Sequence, residues 1–192
     1  MAKRVFFSFH YQDVVDFRAN VVRNHWLLKD DREAAGFFDA SIWEETKKSG
    51  DAALKNLIHG GLKNTSNSCV LVGSETYKRP WVKYEIFKSI DVGNHLFAVH
   101  INSIKGKDQK TKPLGTNPFE WLGLRFNLGG TVATPIEYNG NGWDIYKKLD
   151  PIKLGTAMSQ SFWNSGYKLS HWYKIYDWNS DDGYANFSNW VN

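Results

Sequence analysis

The chain has 192 residues, 42% of them hydrophobic, a formal net charge of +4 and one cysteine. That length suits one well-buried core and is short for two. No apolar run approaches the roughly 20 residues of a membrane span, and Cys69 leaves no partner for a disulfide within the chain, so a soluble globular protein is expected.

The opening, MAKRVFFSFHYQD, has too short an apolar stretch for a secretory signal, which predicts a cytoplasmic protein with no membrane partner. Basic residues are scattered, and the one local cluster, KGKDQKTK at 105–112, reads as a solvated loop. No nucleic-acid partner is expected. The six histidines lack ligand spacing, so no metal site is expected. Aromatic residues make up 16% of the chain, and six of the nine tryptophans follow residue 120. They predict an aromatic core or contact surface, because the interleaved cations of a base-stacking platform are sparse there.

The run RVFFSF at 4–9 predicts a strand covered on both faces. A helix follows, with Asp13 as its cap and Asp16 three residues on. GFFDA at 36–40 predicts a second strand, and SIWEETKKSG a polar loop. Asp51 then opens a helix weakened at Gly60 and Gly61. SCVLVGS at 68–74 predicts a third strand with Cys69 as a buried thiol. KRPWVKYEIF begins the next helix, and NHLFAVHI at 94–101 predicts a fourth strand.

This β-α-β-α-β-α-β order predicts an α/β fold, a flavodoxin-like open parallel sheet with helices on both faces. Residues 102–150 read as an insertion. Within it NGNG joins two runs into a hairpin, and Pro135 confines the first run to an edge. A fifth main strand is expected within 168–178, then a closing helix packed through Tyr184, Phe187, Trp190 and Val191. Residues 1–192 are expected to form one domain, with its core motifs in 1–101.

No dinucleotide-binding glycine motif, Walker lysine loop or nucleophile elbow occurs. In the helix at 80–91, Val82, Ile86 and Ile90 form one stripe, while Trp81 and Glu85 form a second. The segments VFFSFHYQD (5–13) and SETYKRPWVKYEI (74–86) together resemble the TIR-domain family. The first matches a strand ending in Ser-Phe, here Ser8-Phe9, with the acid Asp13 after it. The second matches a helix-opening Trp-x-x-x-Glu segment through Trp81, Glu85 and Ile86. His10 stands where arginine is common, and Val82 replaces a usual cysteine. With its aromatic tail the chain is most similar to the TIR-like, NAD-processing subunit of the bacterial Thoeris anti-phage system.

The resemblance implies cleavage of the nicotinamide–ribose bond of NAD, as substrate and not as cofactor, with Glu85 as the catalytic residue. It implies cyclisation to a cyclic ADP-ribose isomer, activity triggered by infection, and a separate effector protein that senses the product. Homo-oligomer assembly is compatible with it. Phe6, Ser8, His10, Tyr11, Asp39, Trp43, Trp81, Lys83 and Tyr84 are the expected substrate-binding residues. Ser8 equally suits a turn cap, and Asp39 and Trp43 join the site only if the loop after the second strand folds over it. Glu85 lies within two turns of a helix start, where the macrodipole favours a carboxylate. Two other readings remain open, a non-catalytic TIR adaptor and a nucleoside deoxyribosyltransferase-like enzyme.

Overall fold

VFFSF alternates its side chains across the first strand in a computed structural model that describes residues 3–38 and 40–191. In chain order the first half comprises β1 (Lys3–Phe9), α1 (Tyr11–Val15), α2 (Arg18–Leu27), β2 (Arg32–Ala35), α3 (Ala40–Lys48), α4 (Asp51–Leu62), β3 (Asn67–Val72), α5 (Pro80–Asp91) and β4 (His95–His100). The second half comprises β5 (Leu122–Phe126), β6 (Val132–Tyr138), β7 (Trp143–Ile145), β8 (Ile152–Lys153), β9 (Gly166–Lys168), β10 (Ile175–Asp177) and α6 (Gly183–Trp190).

Five strands pair in parallel in the order β10-β4-β3-β1-β2, the flavodoxin-like arrangement. Val5 and Phe7 of β1 join a core with α2 and α6, including Trp26, Phe187 and Trp190. Phe6 faces the other way, into a core with Ile58 and Leu62 of α4 and Val82, Ile86 and Phe87 of α5. Cys69 is fully buried in β3, and burial pushes its thiol well above the ordinary range.

The single helix expected after β1 is two. Phe17 adopts a left-handed conformation (φ 65) between α1 and α2, and Asp13 lies inside α1 instead of capping it. The fully buried Arg18 secures this break, donating to the carbonyls of Ile104 (3.0 Å) and Lys110 (2.6 Å) in the loop after β4. The second strand lies before GFF, because Gly36 (φ 87) ends it; a Cβ there would sit 2.2 Å from the Phe7 carbonyl. Segment 41–50 is largely helical (α3), with Trp43 stacked on Phe38 at 6.1 Å, a stabilisation that local polarity does not reveal.

A second sheet, antiparallel in the order β7-β6-β5-β9 with β8 also pairing β6, occupies much of the stretch read as insertion. Its inner face (Leu122, Leu124, Phe126, Ala133) shares the core of α4 and α5. The NGNG hairpin forms, Tyr138 pairing Trp143. Pro135, however, is not on an edge: β6 pairs β5 on one side and β7 and β8 on the other. Its carbonyl accepts from Tyr146 N, so the missing donor falls on that same side, where β7 has just ended. The fifth main strand is only Ile175–Asp177, since Gly166–Lys168 belongs to the second sheet. In α6 Phe187 and Trp190, and just past it Val191, are buried as expected, whereas Tyr184 is more than half exposed.

Candidate active site

Period-two alternation puts Ser8 on the same face of β1 as Phe6, one step nearer the carboxyl end, where α5 crosses. Pro80 starts α5 with its fixed φ, and Val82 and Ile86 pack into the core. Trp81 and Glu85 are thereby turned to a cavity of about 320 Å³. The Ser8 hydroxyl donates to Glu85 Oε2 at 2.5 Å.

Glu85 is 6% exposed, and burial pushes its pKa from 4.5 up to about 8, with the Ser8 hydrogen bond pulling the other way. The expectation that its helix position keeps it ionised is therefore corrected: burial favours the protonated form. Glu85 is the sixth residue of α5, beyond the turn where the macrodipole acts, and desolvation outweighs what remains.

The cavity wall is assembled from four segments. His10 and Tyr11 follow β1, Gly36 and Phe38 follow β2, Trp43, Glu44 and Lys47 come from α3, and Arg79 to Val82 open α5. Burial lowers the His10 pKa, with the Arg79 charge as the second cause. Among the described residues, no group of His, Cys, Asp and Glu could hold a metal ion. Nor is any helix long and apolar enough to cross a membrane.

Of the residues expected from sequence, His10, Tyr11, Trp43, Trp81 and Glu85 line the cavity, and Ser8 reaches it through Glu85. Phe6 does not line it: its ring is fully buried against Gly61, where an added Cβ would come within 2.9 Å. Lys83 turns to the second sheet and pairs with Glu137 at 2.8 Å. Tyr84 is buried with its hydroxyl 2.8 Å from His59 Nε2 and Lys55 over its ring. Lys83 is two residues from both Trp81 and Glu85 and so points to the far side of the helix, and Tyr84, one residue before Glu85, is turned about a quarter-turn from it. Asp39 lies outside the described residues.

Phe38, Glu44, Lys47 and Arg79 were not expected. A helical reading of 41–48 would have pointed to one of them, since Lys47 follows Trp43 by four residues and so shares its face.

The family described as Thoeris protein ThsB, TIR-like domain, matches residues 6–105, a span that holds every residue lining the cavity. The Bacillus cereus (strain MSX-D12) protein named "Putative cyclic ADP-D-ribose synthase ThsB1" is 53% identical over 192 residues, covering 100% of each chain. A local similarity of 36% over 63 residues to B3 domain-containing protein REM13 of Arabidopsis thaliana spans 33% of this chain and 6% of that protein. So short a match carries no functional argument. With a parallel sheet in flavodoxin-like order, a family match across more than half its length and a full-length relative, this chain belongs to the Thoeris ThsB family of TIR-like proteins.

Proposed function

We propose that the chain cleaves the nicotinamide–ribose bond of NAD and cyclises the product to a cyclic ADP-ribose isomer, a signal for a separate effector protein in anti-phage defence. The observation that carries this reading is Glu85, a buried carboxyl held by Ser8 inside an aromatic cavity. The name of the Bacillus cereus relative, "Putative cyclic ADP-D-ribose synthase ThsB1", supports it.

The bond to be broken joins the anomeric carbon to a pyridinium nitrogen. Its electron pair leaves with that nitrogen, giving neutral nicotinamide, so no acid is needed for the leaving group. The ribosyl carbon becomes oxocarbenium-like, and one carboxylate beside it supplies the stabilising charge. This differs from ordinary glycosidases, which need two carboxyl groups.

Burial by itself favours the protonated form of Glu85 at neutral pH. A pyridinium about 4 Å away, at an effective dielectric of about 20, is worth about 4 kcal/mol to the ionised form. That equals about three pKa units, enough to restore the carboxylate as the substrate enters. A neutral nucleoside brings no such charge, which disfavours the deoxyribosyltransferase reading. A pure adaptor has no use for a desolvated acid in a cavity, so the enzymatic reading is preferred.

Phe38, Trp43 and Trp81 limit water near the reacting carbon. An internal hydroxyl or ring nitrogen of the ADP-ribose moiety then attacks in its place. Where a hydroxyl attacks, its proton passes to the Glu85 carboxylate.

The test is a small-molecule extract of phage-challenged cells expressing wild type or Glu85→Gln. An ADP-ribose isomer is expected after challenge in wild type alone. Equal signal from the variant removes Glu85 from the chemistry, and no isomer in either removes cyclisation.

A further inference from the structure

The cavity differs chemically between its depth and its rim. Glu85 is buried in the depth, while Arg79 and Lys47 line the rim with side chains 39% and 61% exposed. Arg79 lies six residues before Glu85, a rise of roughly 9 Å along a helix axis. Lys47 comes from α3 on another wall.

Both cations have only loose partners. Arg79 Nη2 is 3.8 Å from Glu75, which does not line the cavity, and Arg79 Nε is shielded from solvent with no hydrogen-bond partner. Lys47 Nζ is 3.9 Å from Glu44, the one other carboxylate on the wall among the described residues. His10 nearby is held toward its neutral form by burial. The rim therefore offers an arginine fork and a lysine point charge, neither engaged in a close ion pair among the described residues.

We infer that Arg79 and Lys47 are a two-sided clamp for a diphosphate, so that the site selects dinucleotides over nucleosides. The inference rests on the NAD reading above and deepens it. A ligand with a cationic ring at one end of a ribose and an anionic diphosphate at the other matches this polarity, ring toward Glu85 and diphosphate toward the rim. Arg79 supplies paired N–H donors to phosphate oxygens, and Lys47 neutralises the second phosphate from across the opening.

Three probes separate the two ends: NAD, ADP-ribose (diphosphate without the pyridinium) and nicotinamide riboside (pyridinium without phosphate). Each is titrated into the full chain, wild type, Arg79→Gln and Lys47→Gln, with tryptophan fluorescence as readout and melting temperature as the folding control. Arg79→Gln is expected to weaken NAD and ADP-ribose by about tenfold to a hundredfold, the value of lost charge-assisted hydrogen bonds. Lys47→Gln, at a more exposed position, is expected to weaken them by about threefold to tenfold. The riboside should move less than about twofold, which is less than 0.5 kcal/mol. Arg79→Lys should recover part of the loss, since charge without the fork remains.

Equal weakening of all three probes overturns the clamp, as do unchanged affinities or a wild-type chain that binds neither NAD nor ADP-ribose. The two readings fail separately. If NAD binds in the expected pattern but challenged cells make no product, the enzymatic reading fails and the clamp stands. If affinities do not move and both variants make product at wild-type level, the clamp fails and the enzymatic reading stands.

Discussion

The parallel and the antiparallel sheet both press on α5, and they do different things to it. The parallel sheet brings Ser8 to Glu85, and the segments beyond its strand ends build the cavity wall. The antiparallel sheet contributes no lining residue. It grips α5 from outside: Tyr146 packs on Phe87 with ring centroids 4.9 Å apart, Glu137 pairs with Lys83, and Lys148, just past β7, stands 4.7 Å over Trp81. One face of the helix is held so that another turns Glu85 to the cavity. The cavity thus lies at the carboxyl ends of parallel strands, where ligands sit in open α/β sheets, while the added sheet acts on the position of α5 alone.

Removing the second region should have the largest effect. We propose that residues 1–192 form one domain, because Leu122, Phe126, Ala133 and Leu169 share a buried core with Ile58, Val82 and Phe87. A chain ending at Asn102 would expose that apolar surface and lose β10 from the main sheet. It is expected to show no cooperative melting and poor amide dispersion; sharp dispersion with a cooperative transition would make the two regions separable.

Next in size are two aromatic truncations, one from each region. Tyr146 is 3% exposed, and Tyr146→Ala should cost about 3–5 kcal/mol while the protein that remains folded keeps its product ratio. Trp81 is only partly buried, so Trp81→Ala should cost less, about 1–2 kcal/mol. Opening that wall to water should raise linear ADP-ribose relative to the cyclic product. Melting temperature and product ratio, measured on the same samples, should separate the two variants: a large melting loss at constant ratio for Tyr146→Ala, and a smaller loss with a shifted ratio for Trp81→Ala. If Trp81→Ala left the ratio unchanged and the melting loss were large, Trp81 would belong to the scaffold.

A comparable effect, with a pH signature, comes from Glu85. Its folded pKa of about 8 lies above its ordinary 4.5, so the native state holds the proton more tightly than the unfolded chain. This contribution to stability is complete below the unfolded value and is lost as pH rises through about 8. Glu85→Gln has no proton to lose. It should match wild type at about pH 4 and exceed it by a few kcal/mol at about pH 9 in denaturant titrations. The same difference at both pH values would mean that burial of the charge is not its source.

The smallest change tests the direction of one side chain. Lys83 and Glu137 form a partly exposed pair, and Lys83→Ala should cost about 0.2–1 kcal/mol. NAD affinity should not change, because Lys83 faces the second sheet. A tenfold loss of affinity would put Lys83 back in the site.

Much of the site was legible because it rests on local periodicity. Trp81 and Glu85 at i and i+4, about a quarter-turn round from the core stripe of Val82 and Ile86, needed only a helix to converge on the cavity. Ser8 needed only the two-residue period of β1. Lys47 and Arg79 escaped notice because one lay in a segment read as loop and the other before a proline. Phe6, Lys83 and Tyr84 sit next to site residues in sequence, yet point into the core or toward the second sheet.

By itself the sequence determined the alternation of strands and helices, the parallel sheet, the burial of Cys69, the NGNG hairpin and the stripes of α5. Each depends on neighbours within a few residues, where covalent geometry sets which side chains share a face. Only the tertiary structure decided the break at Phe17, the helix at α3 and the interior place of Pro135. Arg18 reaches residues 104 and 110, Trp43 needs the Phe38 ring, and β6 needs partners on both sides. The protonation of Glu85 belongs to the same class: desolvation sums over every atom packed around the carboxyl, and those atoms come from distant parts of the chain.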